Sequence, residues 1–90
     1  MPEYHPSLTV HGAAAGDGGM VLLDTRSGMM FRLNPTGAIV WHALHRNGGS
    51  LPLVARVVAQ RYGLPVHRVV PGIRRLVVQL ATAGLLERAP

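Results

Sequence analysis

The sequence predicts a small α+β domain, a three-stranded antiparallel sheet followed by three helices. Three observations predict it. The first third of the chain holds short apolar runs separated by glycine-containing turns, which is the spacing of strands. At Asn34 the apolar period changes from two to that of a helix. Beyond that point glycine and proline divide the chain into three stretches of helical length.

Residues 6–11 (PSLTVH) read as the first strand, with the β-branched pair Thr9 and Val10 at its centre. The small residues of 12–19 (GAAAGDGG) read as a mobile connection. Residues 20–25 (MVLLDT) are the second strand, and Arg26-Ser27-Gly28 is a tight turn into the third, 29–33 (MMFRL). So short a spacing argues for an antiparallel hairpin. In the third strand Met29, Phe31 and Leu33 share one face, and Met30 and Arg32 share the other.

Asn34 is a good N-cap, and Pro35 stands at the first helical position, where its missing N–H does no harm. Gly37, Val40, Trp41 and Leu44 then form one face of a first helix that ends near Asn47-Gly48-Gly49. Ser50 caps a second helix, with Pro52 in its first turn, a core face of Val54, Ala55, Val58 and Tyr62, and a stop at Gly63. Residues 64–70 (LPVHRVV) read as a connector or a first helical turn. Pro71 opens the main third helix, which buries Ile73, Leu76, Val77 and Leu80 and stops at Gly84. Leu85 and Leu86 are expected to tuck back onto the sheet.

Ninety residues suit one domain, expected over 1–90 with frayed ends at 1–5 and 88–90. No run is long enough for a membrane span, and MPEYHPSLTV lacks the basic and apolar stretches of a signal peptide. A cytoplasmic protein with no membrane partner is therefore expected. The absence of cysteine excludes thiol catalysis, disulfides and zinc–thiolate sites. The net charge of +5 comes from nine arginines and no lysine, and it favours an anionic partner. The only acids, Glu3, Asp17, Asp24 and Glu87, are scattered, so no catalytic carboxylate pair forms. No phosphate loop or cofactor fingerprint is visible. His42 and His45 lie at i, i+3 without an obvious third ligand and read as surface histidines, not a metal site. A non-enzymatic binding module without a cofactor is the reading that remains.

At 31–44 (FRLNPTGAIVWHAL) an aromatic precedes Leu-Asn-x-Thr-Gly, an aliphatic-Trp pair and a leucine. Phe31, Leu33, Asn34, Thr36, Gly37, Val40, Trp41 and Leu44 carry that pattern. Leu80, Gly84, Leu85 and Leu86 form a second anchor, Leu-x-x-x-Gly-Leu-Leu, and Ala55 and Tyr62 stand in the helix between. Together, over roughly residues 18–87, these features resemble the PqqD-like family of leader-peptide binders, the RiPP recognition elements. The basic character resembles stand-alone members from lasso-peptide clusters. The chain departs from the family at Val70-Pro71-Gly72, where an acidic residue often stands, and has no acid in the loop after the second helix. Proline and glycine there imply a shortened or kinked start to the third helix.

The last strand's outer edge leaves backbone N–H and C=O groups free, and a peptide can add itself there as a further strand. The resemblance implies that a precursor leader lies beside the third strand, in a groove walled by the third helix. The implied site is Met29, Met30, Phe31, Arg32 and Leu33 on the strand, with Ile73, Arg74, Arg75, Leu76 and Gln79 on the helix. Implied partners are the leader peptide, a separate leader protease and a cyclase. The alternative is DNA binding, because helix, turn, basic helix and hairpin also follow the winged helix-turn-helix order. Arg68, Arg74 and Arg75 would then meet the duplex. That helix offers few base-reading side chains, Gln79 and Thr82 excepted, and nucleic acid is the weaker expectation. A structural dimerisation subunit would use the same open edge.

Overall fold

Eight elements follow one another in the structure, a computed structural model that describes residues 3–89. They are β1 (Tyr4–Pro6), β2 (Val10–Ala14), β3 (Met20–Asp24), β4 (Met30–Leu33), α1 (Pro35–Arg46), α2 (Leu51–Tyr62), α3 (Val66–Thr82) and β5 (Leu86–Arg88). The α+β class stands, with the strands in two sheets instead of one. β2, β3 and β4 form the expected antiparallel sheet in that order, and β1 pairs with β5 in a second sheet.

That second sheet corrects the reading of the ends. Tyr4 pairs with Arg88, His5 with Glu87 and Pro6 with Leu86, so Tyr4, His5 and Arg88, expected within frayed ends, are in strands. Met1, Pro2 and Pro90 lie outside the described residues. Ala89 donates its N–H to the Glu3 carbonyl at 2.8 Å, and the Ser7 hydroxyl donates to the Gly84 carbonyl at 2.8 Å. Leu85 and Leu86 are buried, as expected of residues folding back, but Leu86 pairs with β1 and not with the larger sheet. On the other side Tyr4 donates its N–H to the Gly49 carbonyl. Gly49 has φ +81°, and a Cβ there would stand 2.5 Å from the Tyr4 carbonyl oxygen. Only glycine lets β1 approach so closely.

The glycine-rich stretch after the first strand is also paired. β2 runs Val10–Ala14 and not 6–11, so Gly12, Ala13 and Ala14 belong to the ladder opposite Leu22, Val21 and Met20. The reason is packing. A Cβ on Gly12 would come within 2.6 Å of Met20 Cε, so the small residue leaves room for the Met20 side chain, with Trp41 Nε1 in ordinary contact range at 3.8 Å.

The motif opening α1 has a physical role at each position. Leu33 is buried, and the Asn34 carboxamide oxygen accepts from the Gly37 N–H at 2.8 Å. Thr36 Oγ1 lies 2.9 Å from the Tyr62 hydroxyl, joining the start of α1 to the end of α2. Tyr62 was expected in the core; it is 44% exposed and serves this surface bond instead. The core proper is Leu22, Leu33, Val40, Trp41, Leu44, Val54, Val77, Leu80 and Leu85 with their neighbours. Leu76, expected within it, is half-buried at its margin. α3 is not shortened by Pro71: it begins at Val66 and carries the proline inside a 17-residue helix. Pro71 and His67 are both exposed, so water can satisfy the His67 carbonyl that the ring leaves without a donor.

The turn between β3 and β4 is held by Asp24, which is only 2% exposed. Its carboxylate accepts from the Thr9 hydroxyl at 2.6 Å, the Arg26 N–H at 3.0 Å and the Ser27 hydroxyl at 3.0 Å. These bonds, the Thr9 bond foremost, hold its pKa below the ordinary 3.8, against the opposing effect of burial. A depressed carboxylate contributes stability that is complete above its ordinary pKa and disappears as pH falls through the lowered one. Thermal melts from about pH 5 to about pH 2.5 are therefore expected to show a smaller loss for Asp24→Asn than for the wild type. Equal slopes for the two proteins would remove Asp24 from this role.

Candidate functional site

The Asp24 N–H donates to the Met29 carbonyl at 2.9 Å, which makes that pair a hydrogen-bonded rung of the hairpin. Rungs alternate in an antiparallel ladder, so Leu22 with Phe31 and Met20 with Leu33 are bonded as well. The pairs between them, Leu23 with Met30 and Val21 with Arg32, are not. The N–H and C=O groups of both Met30 and Arg32 therefore point away from β3. Among the described residues β4 has no partner on that side. Four main-chain groups thus face outward from a four-residue strand.

Side chains along β4 alternate as the sequence requires. Leu33 is buried and Phe31 half-buried on the inner face, while Met30, at 67% exposed, and Arg32 are on the outer. Met29, expected in the strand, stands just before β4, where its carbonyl closes the rung with Asp24, and is exposed. Arg32 Nη2 lies 2.7 Å from Asp17 Oδ2, with both side chains more than half exposed. The Gly19 N–H bond to Asp17 at 2.9 Å and then Arg32 hold the Asp17 carboxyl below its usual range.

The five α3 residues expected beside the strand do not share one face. Ile73 is in the core, and Leu76 and Gln79 lie along one flank. Arg75 is exposed and turned from the buried stripe. Arg74 stands about 200° from Leu76 around the axis, and it joins Val66, Val70 and Val78 in a cleft of about 500 Å³. The other walls of the cleft are α2 and Tyr4 of β1. Sequence reading missed this cleft, because its outline depends on β1, a strand too short and too proline-bound to recognise. The valines repeating at every fourth position from Val66 to Val78, with Arg74 among them, were the available signal.

Among the described residues no group of three or more His, Cys, Asp or Glu side chains is placed to hold a metal ion. His45 packs edge-on against Trp41, with centroids 5.5 Å apart. No described helix is long and apolar enough to cross a membrane.

The family described as Coenzyme PQQ synthesis protein D (PqqD) matches the chain over residues 19–86. No curated protein matches it. Two solved structures share the fold at a TM-score of 0.80 each. One is TbiB1 in complex with the TbiA(beta) leader peptide, 27% identical, covering 91% of this chain and 93% of that one. The other is lasso peptide synthetase B1 complexed with the leader peptide, 30% identical, covering 94% of this chain and 98% of that one.

Proposed function

The chain belongs to the PqqD family, and from that premise we propose that it binds the leader segment of a ribosomally synthesised precursor by strand addition to β4. The observation that carries this reading is the free edge of β4, with the backbone groups of Met30 and Arg32 turned outward. Two similar structures that hold leader peptides support it. The leader would run along Met29–Leu33, with its side chains meeting Phe31 and the α3 flank of Leu76 and Gln79. The pathway is lasso-peptide or related biosynthesis. There the protein acts in the cytoplasm without chemistry of its own and presents the bound precursor to a separate leader protease and a cyclase.

Titrating a labelled leader peptide and a random DNA duplex side by side at low salt tests the reading. The leader should saturate and protect the amides of Met30 and Arg32 from exchange. The duplex should show no binding, whereas a DNA-binding protein would show strong, salt-sensitive affinity across sequences. A duplex that binds while the leader does not would replace this function with the DNA-binding alternative. Neither the family nor the two similar structures supports that alternative.

Charge gives a second expectation. Arg75 is exposed on α3 and has no ion pair among the described residues. Arg75→Glu should slow association with an acidic leader several-fold at low salt, and the difference should fade as salt is raised. An association rate that does not change would place Arg75 outside the approach path.

A further inference from the structure

The cleft on the α2 side of α3 is a second surface, distinct from the β4 edge. Its floor is apolar, built from the buried Ile73 and Val77 of α3 with Ala55 of α2, and Leu51, Val70 and the more exposed Val66 and Val78 border it. Arg56 and Arg74 line it from facing helices and are exposed. Among the described residues no carboxylate forms an ion pair with either. Glu3 pairs with His5, Asp17 with Arg32, and Asp24 is taken up by the β3–β4 turn. Glu87 is on β5, and it makes no ion pair among the described residues. An apolar floor beside two unanswered guanidinium groups is complementary to apolar side chains next to a carboxylate.

We propose that this cleft docks a short acidic, apolar segment of the enzyme to which the bound leader is presented. The inference rests on the leader-binding reading, since a carrier without chemistry of its own has to engage an enzyme while it holds the peptide. Position favours that occupant over the leader itself. No residue of β4 lines the cleft, so a segment seated in it leaves the β4 edge open. The volume, about 500 Å³, is that of a site for a few side chains and not for a whole element. One or two apolar residues would fill the space between the helices, and an adjacent carboxylate would bridge Arg56 and Arg74.

The test uses a labelled synthetic peptide of alternating leucine and aspartate, its leucine–lysine counterpart, and decanoate. Three proteins are compared: wild type, Met30→Pro, and the Arg56→Gln/Arg74→Gln double variant. The acidic peptide should bind wild type and Met30→Pro alike, shift the amides of Val66, Val70 and Val78, and lose at least about 10-fold in the double variant. The lysine peptide should not bind. Leader affinity should be the same in wild type and the double variant, and that control reads the β4 site independently. Equal binding of the acidic peptide by wild type and the double variant would overturn the proposal. So would loss of its binding in Met30→Pro, which would place it on β4. Saturable decanoate binding without peptide binding would also overturn it, making the cleft a pocket for a free amphiphile. A leader that fails to bind wild type, with the acidic peptide still in the cleft, would instead remove the leader-binding reading.

Discussion

Met30→Pro and Arg32→Pro are each expected to abolish leader binding while the protein stays folded. Both residues direct their N–H away from β3, so a proline at either place removes no bond of the hairpin. It does remove one donor to an incoming strand, and its ring obstructs the pairing that remains. A loss of at least about 100-fold, roughly 2.7 kcal/mol, is expected by fluorescence anisotropy with a labelled leader. Arg32→Pro also breaks the exposed, solvent-screened contact with Asp17, and Arg32→Ala isolates that effect. Phe31→Pro is the instructive contrast. Its N–H points to Leu22, so the same substitution one residue away should break the β3–β4 hairpin itself. If a folded Met30→Pro protein binds the leader as tightly as the wild type, strand addition is wrong and the peptide docks on helices through side chains alone.

Trp41→Ala should unfold the protein. Trp41 is 3% exposed, lies beneath Gly12 of β2, and belongs to the cluster that joins sheet and helices. Truncating so large a buried side chain costs about 3–5 kcal/mol, against a total of about 5–10 kcal/mol for a domain of this size. Loss of the cooperative thermal transition is the expected result. A variant that melts at the wild-type temperature would show that the ring is not part of the core. Gly12→Val approaches the same contact from the other side, since its side chain would occupy the space where Met20 and the indole meet.

What the sequence revealed follows from how local each signal is. α1 and α2 were legible because Asn34 and Ser50 cap their own helices within three residues, and Gly63 ends α2 at φ +63°. The β3–β4 hairpin was legible from the spacing of its apolar runs. β1 and β5 were not, since each has three residues and draws its partner from the opposite end of the chain. Gly12–Ala14 was read as a loop because composition reports flexibility, whereas the small residue at Gly12 makes room for Met20 beside Trp41. At the proposed site, the strand and the helix were legible as elements, but not the direction of each backbone group. That direction depends on ladder register, which one bond, Asp24 N–H to Met29 C=O, reveals. Arg74 and Arg75 are adjacent in sequence and were read together, yet a helix turns about 100° between neighbours.

The pairing of β1 with β5 decides how this protein meets mechanical load. Tyr4 faces Arg88 on the rung nearest the chain ends, with the Glu3–Ala89 bond just beyond it. Tension applied between the two ends therefore falls on one rung at a time, as in opening a zipper, and not on all rungs together as in shear. The ends should separate at low force, before the larger sheet or the helices feel the pull. A tether that drags on both ends would break the Tyr4–Gly49 bond along with that first rung, then reach the Ser7–Gly84 bond and expose Leu85 and Leu86. A single tether, at either end alone, would leave the clasp unloaded.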